Sequence, residues 1–150
     1  MTIVDSTDPE LRAELIEIVA ETLDGLDETM IELAPVPVVT AHPDVVVEST
    51  LRISGDDAAA GLVLRLSGDD AVALTAAMVG ESADSVTLDE AVGTVGELSN
   101  VLAGAAKILL DEETELRVPE ARPVDRADLD DLETVVVAHR LGRFEVHLGA

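Results

Sequence analysis

The stretch from Leu88 to Leu110, LDEAVGTVGELSNVLAGAAKILL, reads as one long helix. Thr87 and Glu90 open it as Thr-x-x-Glu, a capping box in which each side chain satisfies a backbone N–H of the other residue. At about 100° per residue, Leu88, Ala91, Val92, Val95, Leu98, Leu102, Ala105 and Leu109 share one apolar arc. Such an arc faces a core. Opposite it stand Glu97 and Asn100, neighbours on the helix surface because they are three residues apart, with Gly93 and Gly104 to either side and Gly96 and Ala103 filling the face.

A face this bare needs a reason. Each of Gly93, Gly96 and Gly104 weakens a helix interior by about 1 kcal/mol relative to alanine, so something must approach closely enough to compensate. Two occupants fit. Either a second helix or a homodimer mate packs there, or the backbone of another protein docks with Glu97 and Asn100 inserted into a pocket on it.

The run Val95-Gly96-Glu97-Leu98-Ser99-Asn100-Val101-Leu102-Ala103-Gly104 resembles the signature of the CheC, CheX and FliY family of chemotaxis phosphatases, in which Glu-x-x-Asn on a long helix is the active element. Ser54-Gly55-Asp56, the segment Gly61 to Ser67, and the helix end Ala77-Met78-Val79-Gly80-Glu81 follow the CheX pattern in order and spacing. The resemblance covers most of residues 9–150. One departure is Gly93, where family members often carry Asp four residues before the Glu. A single Glu-x-x-Asn makes the chain CheX-like rather than CheC-like.

The resemblance implies dephosphorylation of a CheY-like response regulator phosphorylated on aspartate. Asn100 would position the attacking water, and Glu97 would anchor on the lysine of the receiver. Gly93, Gly96 and Gly104 would let the helix come close. No cofactor of its own is implied, since the receiver would supply Mg²⁺. A homodimer joined through the sheet is also implied. Two other readings stay open: a non-catalytic adaptor that binds a receiver or dimerises, and a domain with no receiver partner in which Glu97 and Asn100 bond within the helix.

Outward from the motif, Asp8-Pro9-Glu10 is a helix start, and Leu11, Leu15, Val19, Leu23, Leu26 and Met30 recur at helical spacing behind it. Ala34-Pro35-Val36-Pro37 stops that helix. Val45 to Ile53 and Gly61 to Leu66 read as an antiparallel hairpin about Gly55-Asp56-Asp57. Ser67 begins a short helix through Met78, closed by Gly80. Beyond the motif, Asp111-Glu112-Glu113 is a solvated, fraying helix end, Leu116 to Val118 a short strand, and Arg122 to Asp131 a proline-broken charged loop. Leu132 to His139 and Arg143 to Leu148 form a terminal hairpin about Leu141-Gly142. The expected fold is α+β, an antiparallel sheet covered by helices, with residues 1–8 a short tail and 9–150 a single domain.

Composition narrows the function. Hydrophobic residues make up 47% of the 150-residue chain, enough for a real core, yet Phe144 is its only aromatic side chain. With no Trp or Tyr to stack on bases and a formal net charge of -23, nucleic acid is excluded as a partner. There is no cysteine for thiol chemistry, and no apolar run approaches the length of a membrane span. The expectation is a cytoplasmic protein with no membrane contact. Asp56-Asp57, Asp69-Asp70 and the acids from Asp125 to Glu133 lack the glycine register of a calcium loop. His139 and His147 fall on opposite faces of the terminal hairpin, so they build no zinc site. Neither a Gly-x-Ser-x-Gly elbow nor a phosphate-binding loop is present.

Overall fold

Strand β1, Val45–Ser54, is rich in β-branched residues and pairs antiparallel with β2, Gly61–Ser67, placing Ser49 opposite Leu64 and Leu51 opposite Leu62. The computed structural model describes residues 9–30, 36–54, 61–107, 115–116 and 118–149. Three helices, α1 (Pro9–Met30), α2 (Gly68–Val79) and α3 (Leu88–Ala106), and four further strands, β3 (Glu115–Leu116), β4 (Glu120–Asp125), β5 (Val135–His139) and β6 (Gly142–Gly149), complete the described elements. β6 lies beside β2 and β5 beside β6. β3 and β4 follow one another along the outer edge of β1, so six strands fill five positions, every pair antiparallel.

Alternation along the strands sends one set of side chains to the helices. Val47 and Leu51 of β1, Leu62, Leu64 and Leu66 of β2, Phe144, Val146 and Leu148 of β6, and Val135 and Val137 of β5 join Leu15, Val19 and Leu23 of α1 and Val95, Leu98 and Leu102 of α3 in a single core. The architecture is α+β, with an antiparallel sheet under a layer of helices.

The acidic start of α2 ties this layer together. Ser67 caps the helix by accepting from the Asp70 N–H at 3.0 Å. Asp69 accepts from the His42 N–H at 2.7 Å, and Asp70 from the Arg143 N–H at 3.0 Å. These carboxylates therefore hold the loop before β1 and the β5–β6 turn to the helix. Gly80 ends α2 at φ 70°, with its N–H bonded to the Ala76 carbonyl, a conformation other residues adopt only with strain.

Three sequence expectations change. Arg122 to Asp131 is not all loop, because Glu120–Asp125 forms β4 and pairs with Val45 through Thr50. Pro123 breaks no sheet there, since an edge strand needs no donor on its open side. The last strand pair is also shifted. Val137 faces Phe144 and the turn is Arg140-Leu141, two places from the expected register. Arg140 is drawn out to Asp27 on α1, and this guanidinium holds the Asp27 carboxyl below the usual carboxylate range. A shift of two keeps each side chain on its face. His139 hydrogen-bonds Asp24 at 2.8 Å, while His147 donates to the Glu133 carbonyl at 2.8 Å. Finally, β5 begins at Val135 rather than Leu132, and Val118, expected in the strand with Leu116, is not in one. The expected tail at 1–8, the Gly55-Asp56-Asp57 turn and the fraying end at 111–113 lie outside the described residues.

β4 and β5 occupy opposite edges of the sheet, so residues 126–134 must cross it. They pass over the face away from the helices. Arg65 points out of that face by alternation with Leu64 and Leu66, donating to the Asp130 carbonyl at 2.9 Å and pairing with Glu48 at 2.7 Å. Under this crossing Arg65 is only 6% exposed.

Candidate functional site

Helix α3 starts as its sequence dictates. The Thr87 hydroxyl accepts from the Glu90 N–H at 3.2 Å, and the Glu90 carboxylate accepts from the Thr87 N–H at 3.3 Å. The buried side chains include Ala91, Val95, Leu98, Leu102 and Ala106. Residues 108–110, expected to continue the helix, lie outside the described residues.

Glu97 and Asn100 are both exposed, one turn apart on the surface of α3 away from the sheet. Among the described residues neither has a hydrogen-bond or ion-pair partner, so no bond between them closes the pair off within the helix. Gly93 and Gly104 are exposed beside them, and among the described residues no atom lies within 4 Å of where a Cβ would sit on either. What results is an open stripe of carboxylate, carboxamide and bare backbone. Its chemistry suits docking against a cation and orienting a small polar molecule: a carboxylate only accepts, whereas a carboxamide both donates and accepts.

Gly96 corrects the expected docking set. It is buried, and an added Cβ would lie 3.6 Å from the Cβ of Ala121 on β4. Ala103 and Ser99 are buried as well. Relative to the arc expected from the sequence, the buried face of α3 is turned by about 40° at the ordinary helical step. The cause is β4, a layer of chain under α3 that sequence reasoning left as loop. Gly96 therefore serves packing between α3 and β4, whereas Gly93 and Gly104 stay on the open side.

Sequence reasoning missed Val101. It is 57% exposed, adjoins Asn100 and follows Glu97 by four residues. An apolar residue outside the apolar arc was the available signal. Ser99 was also passed over. Its hydroxyl and that of Ser49 on β1 are buried with no hydrogen-bond partner among the described residues.

No described group of three or more His, Cys, Asp or Glu side chains is arranged to hold a metal ion. No helix among the described residues is long and apolar enough to cross a membrane.

The sheet-and-helix architecture is similar to that of several chemotaxis proteins of known structure. It is similar to CheX from Vibrio vulnificus, with a TM-score of 0.59 at 18% identity, covering 92% of this chain and 97% of that one. A CheX from Desulfovibrio desulfuricans matches with a TM-score of 0.59 at 20% identity, over 90% and 99% of the two chains. A CheX–CheY–BeF3–Mg²⁺ complex from Borrelia burgdorferi matches with a TM-score of 0.54 at 12% identity, over 89% and 96%. At such identities the likeness concerns the fold. No curated protein sequence matches the chain. The family model for chemotaxis phosphatase CheX matches residues 39–131, more than half of the chain and the part that holds Glu97 and Asn100. The protein belongs to the CheX family of chemotaxis phosphatases.

Proposed function

We propose that this chain dephosphorylates the phosphoaspartate of a CheY-like receiver domain, with α3 of the 9–150 unit as the element that enters the receiver's active site. The observation that carries the reading is the outward Glu97–Asn100 pair, unpartnered among the described residues, beside Gly93 and Gly104. Membership of the CheX family supports it, as does the likeness in fold to a CheX solved in complex with CheY, BeF3 and Mg²⁺.

An acyl phosphate already carries a good leaving group, and the receiver brings Mg²⁺ and a lysine. What remains is to place water in line with phosphorus. The Asn100 carboxamide accepts a hydrogen bond from that water and donates another, orienting the nucleophile without acting as a strong base. Glutamine plays the corresponding part in GTPases. Glu97, one turn away, forms a charge-assisted pair with the receiver lysine and sets the depth to which Asn100 reaches. The chain acts in the cytoplasm, as a homodimer joined through the sheet.

The test is the decay of phosphoryl label on a panel of receiver domains, with the wild-type chain and with Asn100→Ala. Acceleration by the wild type, reduced about a hundredfold or more in Asn100→Ala, is expected. Binding that persists unchanged in Asn100→Ala, with no hydrolysis by either form, would replace the phosphatase by a receiver-binding adaptor.

A further inference from the structure

Val101 is the one large apolar side chain that α3 leaves in solvent among its described residues. At about 100° per residue it forms one rim of the open stripe and Asn100 the other, with Glu97, Gly93 and Gly104 between them. A single exposed valine is ordinary on a protein surface. This one stands beside backbone thinned by glycine, where a docking partner would come within contact distance. Its β-branched side chain is already fixed at χ1 in a helix, so little freedom is lost when it is covered.

Charge limits what can cover it. The exposed residues along this side of α3 include Asp89, Glu90 and Glu97, with the half-buried Lys107 at the C-terminal end as its one base, and the whole chain carries a net charge of -23. A second copy meeting this face would set carboxylates against carboxylates. The occupant must bring a cation for Glu97 and an apolar patch beside it.

We infer that Val101 seats in an apolar contact on the receiver domain, next to the cationic group taken by Glu97, and so orients the receiver along α3. This rests on the proposed function for the identity of the occupant. Val101 is a positioning residue: it sets affinity and orientation, while Asn100 acts on the water.

Binding tests it separately from hydrolysis. A labelled receiver loaded with Mg²⁺ and beryllium fluoride is titrated with the full chain carrying Asn100→Ala, alone and together with Val101→Ser or Val101→Met. Val101→Ser is expected to weaken binding about five- to tenfold and Val101→Met to restore it. In the chain with Asn100 intact, Val101→Ser should raise KM by the same factor and leave kcat within about twofold. Thermal unfolding should shift by only about 1 °C, since the side chain is already in solvent. Equal binding with and without Val101→Ser overturns the inference and leaves the phosphatase intact. Weakened binding without hydrolysis by the wild type keeps the inference and removes the phosphatase. No binding by any form overturns both.

Discussion

Gly93 and Gly96 stand three residues apart on α3, yet an added Cβ would enter open space at one and come into contact with Ala121 at the other. Opposite outcomes follow from the same substitution. Gly96→Leu should destabilise the fold by about 1–3 kcal/mol, because a Cβ at this buried position already touches Ala121 and the methylenes beyond it would have to push α3 and β4 apart. Gly93→Leu should leave stability unchanged or raise it by up to about 1 kcal/mol through helix propensity. It should nevertheless abolish receiver dephosphorylation by holding the helix away. Urea unfolding and the label-decay assay read the two effects apart, and a Gly93→Leu protein with normal phosphatase rates would remove the close-approach role of that glycine. The residue scale also shows what local pattern can reveal. The capping box at Thr87 and Glu90 and the outward pair Glu97 and Asn100 were legible because each depends on helical spacing within one segment.

At the scale of elements, the segment 126–134 joins opposite edges of the sheet and passes over its outer face, where Arg65 holds the Asp130 carbonyl and pairs with Glu48. On that face Glu48 lies opposite Arg65 on one side and Arg122 on the other, and Arg65 opposite Glu145, a row of alternating charge across four strands. Removing one member of a buried pair strands the other. Arg65→Met is expected to cost about 3 kcal/mol in urea unfolding and to speed amide exchange in residues 129–134. Glu48→Leu combined with Arg65→Met should recover most of the stability, because an apolar pair of similar size leaves neither member of the buried pair stranded and the Arg122 side chain is largely in solvent. If the double variant is no more stable than Arg65→Met, the stranded carboxylate is not the cause. The error at β4 belongs to this scale too. Reading Pro123 as a strand breaker took away the layer under α3, and the phase of the helix was then set about 40° from its true value.

Over the whole molecule, 32 acidic residues against 9 basic give a net charge of -23. The ion pairs among the described residues include Arg65 and Arg122 with Glu48 and Arg140 with Asp27. Apart from the buried Arg65–Glu48 pair, surface pairs contribute little, so repulsion among the remaining carboxylates opposes the compact state. Salt shortens the reach of that repulsion from about 10 Å at 0.1 M to about 3 Å at 1 M. The midpoint of thermal unfolding should therefore rise by several degrees, on the order of 5 °C, between 0.1 and 1 M KCl. A flat or falling midpoint in scanning calorimetry would show that self-repulsion does not limit stability.

The sequence by itself determined the helices, the inner strands, the α+β class and the family, because these rest on local periodicity, capping and turn chemistry. Leu62, Leu64 and Leu66 alternate into the core, and Ser67 and Gly80 bound α2 where the residue types require. Only the tertiary structure decided which face of α3 is free. That depends on β4, some 20 residues or more further along the chain, arriving beneath Gly96, and such long-range pairing is set by the sheet rather than by spacing. The same packing turned Gly96 inward and left Val101 in solvent beside Asn100, since a helix can present to water only the arc that its neighbours do not cover.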